Sequence, residues 1–196
     1  MRFTELETDR LFLRKFREED FSAIHSWASY PGNVKYMLFG PNTEEDTRGF
    51  LSWVTARSEE DNCQRFEYIA ALKETGEVIG SAGIGCKPDC ETAEVGWILH
   101  RDHWNRGFGT EIARALLDFG FGTLDTRRII AKCDAENYPS YHVMEKIGMR
   151  REGHFIKARR GNKVLGRELR DELAYAVLRE EWETQNLTNF TRRVTP

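Results

Sequence analysis

The hydrophobic positions fall in short groups, and their spacing changes along the chain. From Arg10 to Phe16, Leu11 and Leu13 alternate with Phe12 and Arg14, which predicts a first strand. After Glu18-Glu19-Asp20 the spacing lengthens. Phe21, Ile24 and Trp27 then share one helical face, with the acids at the positive end of the helix dipole. Tyr30-Pro31-Gly32-Asn33 is read as a break. Tyr36 to Phe39 is an apolar run whose setting the pattern leaves open. Thr43 is a good N-cap, and Asp46 completes a capping-box-like arrangement. The helix it opens is expected to run to about Ser58, with Phe50, Leu51 and Val54 on one side. Glu59 to Asn62 is read as a solvated break. Phe66 to Leu72 and Val78 to Cys86 read as paired strands around a Glu74-Thr75-Gly76-Glu77 turn.

The middle of the chain carries the strongest signal. Ala93 to Leu99 is rich in β-branched and aromatic residues and too short for a helix, so it reads as a central strand. A glycine loop, Trp104-Asn105-Arg106-Gly107-Phe108-Gly109-Thr110, follows His100 to His103. Glu111 to Phe121 then reads as a helix, with Ile112, Ala115, Leu116 and Phe119 on one face. Arg128 to Cys133 reads as a strand, and the stretch after Asn137 as a second helix with Gly148 as its C-cap. His154 to Lys157 and Leu173 to Leu178 are the last expected strands, joined by a loop over Arg159 to Lys163. The order β-α-α-β-β-β-α-β-α-β-β predicts an α+β fold with a mixed, mostly antiparallel sheet flanked by helices. The expected organisation is one domain over 1–182 and a polar tail over 183–196.

Composition narrows the classes. The 196 residues are 40% hydrophobic and carry a net charge of −3, enough for a sizeable core and without the basic block of a nucleic-acid binder. No apolar run approaches a membrane span, and Met1 to Glu5 opens no signal-peptide core, so a cytoplasmic protein is expected. Cys86 and Cys90 are close, but no second pair completes a zinc site, so no metal is expected. The glycosylation-type matches at Asn186 and Asn189 are read as chance.

Strand, glycine loop and helix together make an anion site, because loop and first-turn N–H groups point outward unpaired. The loop is neither the three-glycine dinucleotide fingerprint nor a Walker loop: position 112 is Ile, and no Gly-Lys-Ser/Thr follows. Further along come Asn137-Tyr138-Pro139-Ser140 and Lys146-Ile147-Gly148-Met149. With these motifs the chain resembles the GCN5-related N-acetyltransferases. Their acetyl-CoA loop reads Q/R-x-x-G-x-G/A and is followed by N-x-x-S/A and K-x-G-F. Trp104 replaces the usual Gln or Arg, as in the branch containing the ribosomal-protein N-terminal acetyltransferases. Leu6 to Arg14 and Asp171 to Trp182 resemble that branch's opening and closing strands.

The resemblance implies a central sheet splayed between its two middle strands, with the thioester of acetyl-CoA in the split. It implies that Asn105 to Thr110 bind the pyrophosphate, with Trp104 and Arg106 in the same loop. It implies that the strand around Trp97, Ile98 and Leu99 pairs with pantetheine, and that Asn137 binds the pantetheine arm. The segment Tyr36 to Phe39 would lie beside the acceptor cleft, lining it or packing in the core. The acceptor is expected to be an amine, on a small molecule or a protein N-terminus. A homodimer is family behaviour, and another acyl donor such as succinyl-CoA stays open.

Such a transfer needs a base for the ammonium and a proton for the leaving thiolate. Glu94 is the first candidate base; strand alternation sets it opposite Leu99 unless a bulge at Gly96 intervenes. His100, His103 and His142 are weaker candidates. Many family members donate from a Tyr at the place of Met144, which has no such proton. Ser140 matches the Ser of the ribosomal branch and is the candidate donor, with helix capping as its other role. Where that branch carries a Glu base on the strand after the helix, this chain has Arg159, which suits an acceptor bearing a carboxylate or phosphate. The alternative function is a non-catalytic acyl-CoA-binding module.

Overall fold

The computed structural model describes residues 2–58, 64–86, 91–166 and 168–185. Cys63, Cys90, Asn186 and Asn189 lie outside them, as do residues 59–62 and most of the expected tail. The strands are β1 (Leu6–Glu7), β2 (Leu11–Arg14), β3 (Arg65–Leu72), β4 (Val78–Cys86), β5 (Thr92–Leu99), β6 (Arg128–Asp134), β7 (Arg150–Arg160) and β8 (Leu169–Leu178). The helices are α1 (Phe21–Ala28), α2 (Pro31–Val34), α3 (Glu44–Ser58), α4 (Phe108–Gly122) and α5 (Tyr138–Lys146). Residues 179–185 are also helical. The strands form one 8-stranded sheet, ordered β1-β2-β3-β4-β5-β6-β8-β7. Every neighbouring pair is antiparallel except β5 and β6.

Alternation along the strands sends side chains into two layers. Ala93 and Val95 of β5 join Ile112, Leu116 and Leu117 of α4 in the larger core cluster. Ile98 and Ile69 face the other way, onto Ile24 and Trp27 of α1 and Leu51 and Val54 of α3. Each fully buried Leu or Ile contributes roughly 1.5–3 kcal/mol. The capping box expected before α3 is present: Asp46 N–H donates to Thr43 Oγ1 at 3.1 Å, and Thr43 N–H to Asp46 Oδ2 at 2.9 Å.

Several boundaries differ from the sequence reading, among them the start of β8, at Leu169 rather than Leu173. The expected first strand is β2, shortened to Leu11–Arg14, and the short β1 precedes it across a turn where Thr8 Oγ1 accepts the Leu11 N–H. The break at Tyr30 to Asn33 ends α1 as expected but includes the single turn α2. The loop helix begins at Phe108 rather than Glu111. Gly107 takes φ 82° as N-cap, and the buried Phe108 ring carries Arg10 and Arg106 at 4.2 and 5.2 Å from its centroid. β7 is far longer than His154 to Lys157. It is an edge strand, mostly exposed along its length, so it lacks the alternation that marks a half-buried strand. Arg159 therefore lies on β7, not in the loop.

Candidate active site

The parallel pairing of β5 and β6 lasts three residues and ends at Glu94 and Ile130. Beyond it the strands part. The pairing of β5 with β4 continues to Leu99 without a register shift, so Gly96 hosts no bulge. His100 N–H donates to Ile79 O at 2.8 Å. Antiparallel alternation then turns the backbone of Ile98 and Gly96 toward β4 and that of Trp97 and Leu99 toward the gap. The Leu99 carbonyl already accepts from Trp104 Nε1 at 2.9 Å and from the buried Asn33 Nδ2 at 3.0 Å. Both its lone pairs are engaged, so Trp97 presents the open strand edge. Ile98 contributes its side chain to the opposite layer.

At the far end of β5 the loop delivers the N-terminus of α4. Asn105 and Gly107 are both left-handed, with φ 58° and 82°. The first helical bond is Glu111 N–H to Gly107 O, 3.1 Å, so the N–H groups of Phe108, Gly109 and Thr110 precede the hydrogen-bonded ladder. Trp104 is exposed and ties the loop to β5 through its indole N–H. Arg106 lies 3.2 Å from Nδ1 of the buried His103, whose Nε2 is 3.1 Å from Glu77. The sequence reading missed Arg10. It meets Glu111 at 2.6 Å and donates to the Arg106 carbonyl at 3.1 Å, bracing the loop from the turn before β2. Nothing in the local sequence pairs residues this far apart.

α5 borders the gap from the other side. Asn137 is its N-cap by position, but its side chain makes no capping bond. Ser140 is inside the helix, so capping is not its role. Its hydroxyl bonds the Cys133 thiol, whose pKa burial pushes up to about 12. A Cβ on Gly109 would sit 3.5 Å from Val143 of α5 and 3.8 Å from Leu99, so the loop, α5 and β5 converge there. Asp134 is buried and accepts from Arg170 at 2.9 and 3.0 Å and from Glu136 N–H at 2.9 Å. Burial raises its carboxyl pKa, but the hydrogen bonds from Arg170 and Glu136 N–H outweigh this and hold it below the ordinary value.

On the α1/α3 side of the sheet lies a cleft of about 1260 Å³. Its floor is Ser81, Gly83, Glu94, Gly96 and Ile98; Trp27, Phe50 and Trp53 form part of its wall. Met37, Leu38 and Phe39 line it as well, which resolves their setting. Arg159 also lines it, but its Nη2 donates to the Tyr36 carbonyl at 3.0 Å, and its buried Nε has no partner. Asn162 Nδ2 donates to the carbonyls of Val34 and Phe39 at 2.6 and 3.0 Å. The end of β7 thus clamps the 34–39 segment over the cleft. Glu94 is exposed on the floor, on the face opposite Leu99. His100, His103 and His142 do not line the cleft. Glu67, missed in the sequence, does: its side chain is 14% exposed and ion-paired with Arg65. Burial raises its pKa against the opposing pull of Arg65 and Arg57. As one acid on the polar face of a strand it carries no local signal.

A gap in the sheet thus joins the N-terminus of α4, with its unpaired N–H groups, to a large cleft. The family model for the acetyltransferase (GNAT) domain matches residues 10–150. The chain belongs to the GNAT acetyltransferase family. It is 38% identical over 177 residues to an uncharacterized N-acetyltransferase, YnaD, of Bacillus subtilis, covering 90% of this chain and 98% of that one. It is 33% identical over 91 residues to a putative ribosomal N-acetyltransferase, YdaF, of the same organism, covering 46% of this chain and 48% of that one. Among solved structures, a GNAT-family acetyltransferase from Bacillus anthracis superposes with a TM-score of 0.79 at 36% identity, covering 90% of this chain and 99% of that one. The fold and the enzyme class follow: this GNAT protein is an acetyl-CoA-dependent acetyltransferase with a mostly antiparallel sheet. No described helix is long and apolar enough to cross a membrane.

Proposed function

We propose that this GNAT protein transfers the acetyl group of acetyl-CoA to a primary amine by direct attack, the amine belonging to a small molecule or a peptide N-terminus. The observation that carries the reading is the parting of β5 and β6 after Glu94 and Ile130, which opens the α4 side of the sheet to the cleft. Bound acetyl-CoA supplies an activated acyl group. The chain's own residues hold and align it. The N–H groups from Asn105 to Thr110 take the pyrophosphate, helped by the dipole of the 15-residue α4. The Trp97 backbone pairs with the pantetheine amides and donates toward the thioester oxygen. The Asn137 side chain takes the pantetheine arm. Ser140 Oγ donates toward the leaving sulfur. Glu94 assists removal of the amine proton from the cleft floor.

The test is calorimetric titration with acetyl-CoA, CoA and succinyl-CoA, followed by thiol release from acetyl-CoA over a panel of amines. The panel would include spermidine, free amino acids and short peptides with free N-termini. Micromolar binding and amine-dependent thiol release are expected. Binding with no release across the panel would overturn transfer, and no binding of any CoA species would overturn the site itself.

A further inference from the structure

Glu67, Gly83 and Gly96 form one row across β3, β4 and β5, set by the registers Glu67 to Gly83 and Gly83 to Gly96. All three line the cleft. A Cβ on Gly83 would run into the Glu67 carboxyl group, and one on Gly96 would meet nothing within 4 Å. The carboxyl group therefore lies over bare backbone, aimed from β3 toward β5. Strands are spaced about 4.8 Å apart, so the row from Glu67 to Gly96 spans roughly 10 Å. A glutamate side chain covers about half of that. The remainder is open floor ending beside Trp97, whose backbone faces the gap.

We propose that Glu67 is the first acceptor of the proton leaving the acceptor ammonium, with the exposed Glu94 passing it to solvent. The inference rests on the acetyl-transfer reading and deepens it. The ammonium gives one proton to the Glu67 carboxylate, leaving a neutral amine. The amine lone pair forms the C–N bond at the thioester carbonyl, and the C–S bond breaks. The second nitrogen proton ends on the departing sulfur, giving amide and CoA thiol. The charges acting on Glu67 are Arg65 on its own strand and Arg57 from α3; the other charged side chains lining the cleft are Asp46 from α3, Glu94 from β5, Lys132 from β6, Arg159 and Arg160 from β7, Lys163 after it and Glu172 from β8. Burial holds the Glu67 carboxyl above its ordinary pKa, nearer the working range of a base than an exposed glutamate would be.

The experiment uses the full chain and the amine of the panel that gives the fastest thiol release. Glu67→Gln is expected to lower kcat/KM about 100-fold or more and to abolish the acidic limb of the pH–rate profile. Glu94→Gln is expected to lower the rate and keep the limb. Arg65→Gln removes the neighbouring cation and is expected to move the limb to higher pH. Carbon-13 NMR of the glutamate carboxyls, assigned with Glu67→Gln, is expected to give Glu67 a midpoint above that of ordinary glutamates. A Glu67→Gln enzyme that keeps both rate and acidic limb overturns this proposal alone. Absence of thiol release by the unmodified protein overturns the transfer reading and this proposal together.

Discussion

The two sides of β5 are built from different kinds of sequence. On the α4 side, the strand edge, the loop and the helix N-terminus are consecutive in the chain, from Thr92 to Gly122. On the other side, the cleft takes Trp27 from α1, Trp53 from α3, Glu67 from β3, Arg159 from β7 and the segment Met37 to Asn42. The first site is a local backbone device, and its chemistry is that of unpaired N–H groups. The second is assembled by packing, and its chemistry is that of side chains brought from afar. Loss of function should therefore look different on the two sides.

The largest expected effect is at Gly107. Its φ of 82° disfavours most side chains, and in the proposed site a carboxylate there would repel the pyrophosphate. Gly107→Glu is expected to weaken acetyl-CoA binding on the order of 1000-fold by calorimetry. Retention of near-native affinity would break the comparison, since the α4 end would then not be the anion site.

Next comes Asp134, which fixes the turn leading into Asn137. It is 2% exposed and paired with Arg170. Asp134→Asn is expected to cost about 2 kcal/mol in denaturant unfolding at neutral pH, because the charge-assisted hydrogen bonds from Arg170 are weakened while Arg170 keeps only its pairing with Glu136, at 2.6 Å. The native Asp134 pKa lies below the unfolded value. Its stabilisation is therefore present above the ordinary aspartate pKa and lost as pH falls through the native one. The gap between wild type and variant should close in acid; a gap constant with pH would deny the pair its role.

Gly96→Val tests the other side. The added side chain would stand in open cleft, and a roughly tenfold rise in amine KM is expected with acetyl-CoA affinity unchanged. Equal loss of both would show that the two sites are not separable at this strand. Arg159→Ala is expected to act like Gly96→Val but more weakly, by loosening the 34–39 segment; an unchanged KM for every accepted amine would deny the clamp. The smallest effect is Ser140→Ala. Removing one neutral donor near the leaving sulfur should lower kcat by about 3- to 10-fold, with KM little changed.

Legibility follows the same division. α3 with its Thr43–Asp46 cap, the β3–β4 hairpin and the central strand were readable because apolar period and turn residues are local signals. β7 was underestimated because an exposed edge strand has no buried face to impose alternation. Ser140 could be named from its place after Asn137, but its position inside α5 against Cys133 could not. The sequence assigns Arg159 to an acceptor bearing a carboxylate or phosphate; its bond to the Tyr36 carbonyl follows only from the packing.

The sequence alone determined the family and, apart from β1 and α2, the order of elements, because motif spacing and apolar period are local signals. Only the tertiary structure decided where the sheet opens, and that Leu99 O is consumed by Asn33 and Trp104 while Trp97 stays exposed to the gap. It also placed a mostly buried glutamate over a glycine of the neighbouring strand, in one row with a second glycine. Strand register and burial are properties of the assembled sheet. A side chain's environment, and hence its chemistry, exists only after residues far apart in sequence have packed together.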